Sequence, residues 1–273
     1  MVAAHADLKR YELFGWDYES HSPLAEEALA WYRLWARRTG GPLLALACGT
    51  GRLLCRLATA GSEVVGLDLS DGMLALARKN IAALPGQAQD RIRLVKADMS
   101  GFDLGRQFGL ILIADNSFRE LSTRKEMVAC LRCVRRHLKP GGRALITERR
   151  FNPALYSSGR RVFGWSDPQP HPGTGELVSR RGEVRLSKDR KRICSNFFYR
   201  TVHSDGNETI DVCPQSGPLL QKHEYLELLA RAGFHARIFD GYKEIEDAGV
   251  EPVICFVCEA KRREGRRGLD ATR

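Results

Sequence analysis

The sequence predicts a doubly wound α/β fold. Short apolar runs alternate with helix-period stretches through residues 43–150, and the connections between them are brief. The runs are almost uninterrupted, the pattern of parallel strands covered on both faces. Leu24, Ala28, Trp31 and Trp35 form one apolar helix face, with Ser22-Pro23 as its cap and first helical residue. Gly40-Gly41-Pro42 ends that helix. Leu43–Ala47 reads as a buried strand, Leu53–Ala60 as a helix, Glu63–Asp68 as a strand and Asp71–Ala83 as a helix. Ile92–Lys96 and Leu110–Ala114 follow as strands, Lys125–Leu138 as a helix, and Ala144–Glu148 as a strand.

The pattern changes after Phe151. Asn152–Gly175 carries four prolines and four glycines without a period and reads as irregular cover. Leu177–Leu186 and Arg190–His203 alternate by two, and Ser204-Asp205-Gly206-Asn207 is a hairpin-turn signal. Lys222–Ala232 is then a helix ended by Gly233, and Ala236–Phe239 and Val253–Glu259 complete seven core strands. The expected organisation is an N-terminal lid and helix (1–38), a core (39–150 and 218–261), an inserted antiparallel cap (151–217) and a basic tail (262–273).

Composition narrows the function classes. With 43% hydrophobic and 28% charged residues the chain is an ordinary globular one. Apolar runs such as Leu110–Ala114 stop far short of the roughly 20 residues a membrane helix needs. No secretory h-region is expected at the N-terminus, and a cytoplasmic location with reduced thiols follows. The net charge of +10 is concentrated at Glu176–Arg200 and Lys261–Arg273, which would attract anionic partners or simply be solvated. Two CxxC pairs, Cys130–Cys133 and Cys255–Cys258, raise the question of zinc. The first falls within a helix and the second within a strand, where i and i+3 point to opposite faces, and neither carries a turn glycine. No metal is expected.

Chemistry concentrates around Ala47-Cys48-Gly49-Thr50-Gly51-Arg52. Glycines directly after a first strand let a ligand approach the backbone amides of the following helix. Asp68 ends the second strand, 19 residues after Gly49, where an acid accepts ribose hydroxyls. The dinucleotide fingerprint GxGxxG fails because Leu54 stands at the third glycine position, which disfavours a redox cofactor.

On these residues the sequence resembles the class I S-adenosylmethionine-dependent methyltransferases. The resemblance covers roughly residues 43–150. Ala47–Arg52 is similar to the family's first motif, Asp68 to its ribose acid and Asp98-Met99 to its adenine-side motif. Leu138-Lys139-Pro140-Gly141-Gly142 is similar to its turn before the fifth strand. One departure is Ala45, where many members carry an acid that supports the loop. The resemblance implies a Rossmann-like, seven-stranded, mostly parallel sheet and S-adenosyl-L-methionine as cofactor, with S-adenosyl-L-homocysteine as product. It further implies contacts from Ala47, Cys48, Gly49, Gly51, Arg52, Asp68, Leu69, Met73, Asp98, Met99, Asp115, Asn116 and Phe118. Tyr11 and Tyr18, with Phe14 and Trp16, would form an aromatic lid or pack on the first helix.

The acceptor belongs beside Asp115-Asn116-Ser117-Phe118, at the carboxyl edge of the fourth strand. This loop lacks the (Asn/Asp)-Pro-Pro-(Tyr/Phe) signature that some members use on planar nitrogens, and resembles that of small-molecule enzymes. Glu148, Arg149 and Arg150 end the fifth strand; Glu148, Arg149 and Tyr199 are the candidate catalytic groups, with arginine–carboxylate pairing the alternative for Glu148. In the cap, Phe197 and Tyr199 share one strand face and Phe198 and Arg200 the other, while His171 and His203 lie close to it in sequence. The expected function is methyl transfer by in-line displacement to an N, O, S or C nucleophile of a small molecule. The alternatives are RNA or protein methylation through the basic segments, and a non-catalytic binding protein on the same fold.

Overall fold

The computed structural model describes residues 15, 17, 24–150, 152, 159–171, 174–247, 249 and 251–261. Tyr11, Phe14, Trp16, Tyr18, the Ser22-Pro23 cap and the basic tail from residue 262 lie outside the described residues. Helix α1 is Glu26–Thr39; Leu24 and Ala25 precede it in non-helical conformation, so it begins later than expected. Glu26 and Glu27 in its first turn and Arg37 and Arg38 in its last complement the helix dipole.

The core elements then run β1 (Leu43–Leu46), α2 (Arg52–Thr59), β2 (Val64–Asp68), α3 (Asp71–Ala82), a short α4 (Gly86–Gln89), β3 (Ile92–Lys96) and β4 (Phe108–Ile113). A 3-10 turn (Ser117–Glu120) leads to α5 (Arg124–His137) and β5 (Leu138–Arg149). After an excursion through a second sheet, α6 (Lys222–Arg231), β11 (Phe234–Asp240) and β12 (Val253–Ala260) return to the core. Ser70 caps α3 through its side chain, and Thr123 and Glu126 form a reciprocal capping box on α5.

Seven strands form one sheet in the order β11-β12-β5-β4-β1-β2-β3. β1 to β5 are mutually parallel, and β12 runs antiparallel to both β5 and β11. Alternation across this sheet explains the continuous apolar runs. Leu43 and Ala45 pack with α1 and α2 on one face, while Leu44 and Leu46 pack with α5 and α6 on the other. The cysteine pairs are part of the same packing. Cys130 and Cys133 lie on the core side of α5, and Cys255 and Cys258 point to opposite faces of β12. Burial pushes the Cys255 thiol up to about 12 and raises those of Cys130 and Cys258.

The turn motif Leu138–Gly142 departs from expectation by falling inside β5. Phe108 pairs with Leu138, the register then shifts, and Leu110 pairs with Arg143. Gly141 takes up the shift with φ +78°, and a side chain at Gly142 would sit 2.9 Å from the Gly109 carbonyl.

The second sheet is antiparallel, in the order β10-β9-β8-β6, from β6 (Arg160–Phe163), β8 (Leu177–Leu186), β9 (Arg192–Val202) and β10 (Glu208–Pro218); β7 (Gln169–Pro170) also pairs with β8. The β9–β10 hairpin turns at residues 204–207, with Gly206 at φ +85°. β6 and β7 occupy a stretch expected to be irregular. Both are short and exposed throughout, so no buried face imposes a period of two on their sequence.

Candidate functional site

A cleft of about 890 Å³ opens at the carboxyl ends of β1, β2 and β4 and is walled on its far side by β8, β9 and β10. It lies where ligands bind in open α/β folds. The loop after β1 forms its floor. Ala47 and Gly49 take left-handed conformations, at φ +49° and +56°. For alanine that conformation carries strain of order 1–3 kcal/mol, which the surrounding hydrogen bonds must hold. The Cys48 amide donates to the Leu67 carbonyl, and the Gly49 amide donates to Asp68 Oδ2 at 2.7 Å. Asp68 Oδ1 accepts from the Ser70 amide at 2.9 Å.

The spacing between Gly49 and Asp68 is thus a direct bond between two strand ends. Each carboxylate oxygen keeps further acceptor capacity. Burial raises the Asp68 carboxyl, opposed by the amides of Ser70, Gly49 and Leu69. Beside it Leu69 presents an apolar side chain that is 62% exposed.

Ala47, Cys48, Gly49 and Arg52 line the cleft, as do Asp68, Leu69 and Met73. Asp98, Met99, Asp115, Asn116 and Arg149 also line it. Gly51 does not. Its φ of +78° starts α2, and a Cβ there would meet the Ala77 Cβ at 3.2 Å, so its role is close helix packing. Phe118 is also displaced from its expected place. The 3-10 turn directs it into the core, 1% exposed and beside the Tyr225 ring. Arg52 faces Asp115 at 3.6 Å.

The loop after β4 is held in an unusual shape. Asp115 and Asn116 are consecutive non-glycine residues at φ +57° and +70°. Thr147 of β5 secures both: its Oγ1 accepts from the Asp115 amide at 3.0 Å, and its carbonyl from the Asn116 amide at 3.1 Å. Tyr32 of α1 bonds the same hydroxyl at 2.7 Å. Asn116 Oδ1 accepts from the Arg149 amide at 2.6 Å and from the Arg119 guanidinium.

Arg119 also donates to Glu148 Oε2 at 2.6 Å. Glu148 is 1% exposed and does not line the cleft, so the arginine–carboxylate alternative is the arrangement found. Burial pushes its carboxyl up to about 7, against the pull of Arg119. Arg150 points elsewhere, to Asp240 and Asp247. Sequence reading missed Thr147 and Arg119, because their partners come from neighbouring strands and no local spacing marks them.

On the second sheet Phe197 lines the cleft, but Tyr199, a candidate catalytic group, does not. It is fully buried, and its hydroxyl donates to Asp17 at 3.2 Å, while Arg180 pairs with the same carboxylate oxygen at 2.7 Å. Burial, with Asp17 alongside, raises the Tyr199 phenol well above its usual range. Phe198 and Arg200 occupy the opposite face, under Arg181 and over Trp165 respectively. His203 is held by Glu176 and Thr209, and neither it nor His171 lines the cleft.

Among the described residues no cluster of three or more His, Cys, Asp or Glu is placed to hold a metal ion. Nor is any described helix long and apolar enough to cross a membrane.

Known proteins share this architecture. Residues 43–142 match a family model described as a methyltransferase domain. The dTDP-3-amino-3,4,6-trideoxy-alpha-D-glucopyranose N,N-dimethyltransferase of Streptomyces venezuelae is 34% identical over 161 residues, covering 57% of this chain and 61% of that protein. The chain therefore spans less than two thirds of that relative's length. A solved S-adenosylmethionine-dependent methyltransferase from Clostridium acetobutylicum has the same fold, with a TM-score of 0.73 at 16% identity, over 90% of this chain and 96% of that one. CalS10 of Micromonospora echinaspora, an amino pentose methyltransferase solved with S-adenosylmethionine bound, is 27% identical. Its TM-score is 0.66, over 90% of this chain and 95% of that one.

Proposed function

We propose that the chain is a class I S-adenosylmethionine-dependent methyltransferase that transfers a methyl group from S-adenosyl-L-methionine to a small-molecule acceptor. The observation that carries this reading is the Gly49–Asp68 bond in the floor of a cleft walled on its far side by the second sheet. The donor set suits such a cofactor. Asp68, an acceptor-only carboxylate, sits where a ribose diol needs acceptors. Exposed Leu69 and buried Met99 offer apolar surface to an adenine, and Asp98 stands next to them. Arg52, which also lines the cleft, is the cationic group offered to the amino-acid end. Residues 1–38 are assigned here to an N-terminal lid, with Tyr11 and Tyr18, and helix, and residues 151–217 to the acceptor cap.

When bound, the cofactor supplies an electrophilic methyl group on a sulfonium. The protein's task is then chiefly orientation, which contributes roughly 7–11 kcal/mol in well-aligned reactions. The Asp115–Asn116 loop, locked by Thr147 and Arg119, fixes the wall between the cofactor and acceptor halves of the cleft. The second sheet excludes water and bulk from the acceptor half. At about 890 Å³ the cleft falls within the roughly 300–1,000 Å³ of small-ligand sites. The Streptomyces venezuelae relative is named for a dTDP-amino sugar and CalS10 for an amino pentose. Several basic residues of the second sheet are tied to internal partners: Arg180 to Asp17, Arg181 to Glu183 and Arg192 to Ser122 and Ser216.

The test incubates the protein with methyl-labelled S-adenosylmethionine and a nuclease-free extract of its host. Label in the low-mass fraction is the expected result. Label confined to macromolecules, and released by ribonuclease or protease, would overturn the choice of acceptor class.

A further inference from the structure

The acceptor half of the cleft contains a polar feature that the reading above does not use. β8, β9 and β10 place Val184, Ser195 and Gln215 in one cross-strand row, and all three line the cleft. The neighbouring row is Gly182, Phe197 and Cys213, so the polar pair is bordered by apolar surface from Val184 and Phe197.

Among the described residues the Gln215 Nε2 is buried with no hydrogen-bond partner. A buried N–H without an acceptor is uncommon in native proteins and calls for an explanation. Its residue lies on the cleft wall, where a ligand oxygen met by a small rotation of the carboxamide would supply one.

The row is rigidly placed against the core. Arg192 donates to the hydroxyl and carbonyl of Ser216, next to Gln215, at 3.0 Å each, and to the Ser122 carbonyl at 3.1 Å. Two residues beyond Gln215, Gly217 lets β10 lie against the 3-10 turn; a Cβ there would be 2.7 Å from the Arg119 carbonyl. Arg119 is the residue that fixes Asn116. Gln215 therefore sits on a strand packed against the turn whose Arg119 bonds the Asp115–Asn116 loop.

We propose that Gln215, with Ser195 beside it, is a specificity determinant that donates a hydrogen bond to an acceptor oxygen and so selects an oxygenated ring over its hydrocarbon counterpart. This rests on the methyltransferase reading of the same cleft. A site built to hydrogen-bond a hydroxyl rejects the analogue lacking it, because its own polar group is then left unpaired. Val184 and Phe197 favour a compact ring with an apolar face, and the carboxamide requires the oxygen.

The test uses two probes, trans-2-aminocyclohexanol and cyclohexylamine, titrated into the full-length protein saturated with S-adenosylhomocysteine and followed by ligand-observed NMR. The wild type is expected to prefer the hydroxylated probe by about tenfold, the scale of one hydrogen bond to a buried group. Gln215→Leu is expected to reduce that preference to near unity while its affinity for S-adenosylhomocysteine stays at the wild-type value. Gln215→Asn, which keeps the carboxamide, should restore part of the preference. A preference that persists in Gln215→Leu, or failure of the loaded wild type to bind or discriminate the probes, would overturn the assignment of Gln215. Failure of the wild type to bind S-adenosylhomocysteine at all would instead overturn the methyltransferase reading.

Discussion

Replacing Glu148 with glutamine removes a carboxylate that is 1% exposed and bonded to Arg119. Burial raises its ionisation from the ordinary 4.5 to about 7, even with the arginine opposing it. At 1.36 kcal/mol per unit, the shift corresponds to about 3 kcal/mol. The native state holds this proton more tightly than the unfolded chain, so between pH 4.5 and about 7 the folded protein binds more protons. Stability from this group is fully present below pH 4.5 and is lost as pH rises through about 7. Equilibrium urea denaturation of wild type and Glu148→Gln over that range isolates the effect, since other groups cancel in the difference. The wild-type advantage should decline by about 3 kcal/mol from pH 4.5 to neutrality and then level off. A difference that is flat or grows with pH would refute the reasoning, because it would mean that Arg119 keeps Glu148 ionised throughout.

Two further outcomes follow from packing and bonding. Gly109→Ala would drive a Cβ into the Gly40 carbonyl and within 2.9 Å of the Thr39 carbonyl, both backbone atoms. The unfolding free energy should fall by about 3 kcal/mol in urea melts. Tyr199→Phe removes the hydroxyl that bonds Asp17, so stability should drop by about 1 kcal/mol. Its kcat should stay within about threefold of wild type in the methyl-transfer assay, because Tyr199 is buried and does not line the cleft.

Much of the core was legible in the sequence because strands buried on both faces need continuous apolar runs. Leu43–Leu46 and Phe108–Ile113 are fully buried and announce themselves in that way. The Gly49–Asp68 relation was legible for a similar reason, since consecutive parallel strands put their carboxyl ends side by side. Other features left no such trace. β6 and β7 are exposed edges held by backbone pairing, which any residues can supply. Phe118 follows the β4 motif directly, but a 3-10 turn rotates it into the core. Tyr199 and Asp17 are 182 residues apart, and Arg119 and Glu148 are 29 apart. Such pairs exist only once the sheets are assembled.

The central claim is that Asp68 and the loop it braces hold S-adenosylmethionine. Calorimetric titration of S-adenosylhomocysteine into wild type and Asp68→Asn tests it most directly, with circular dichroism to establish that the variant is folded. The substitution removes the charge that bonds the Gly49 amide and that is assigned to the ribose hydroxyls, so the Kd should rise roughly 10- to 100-fold, the scale of hydrogen bonds to a charged group. A folded variant that binds with wild-type affinity would contradict the account.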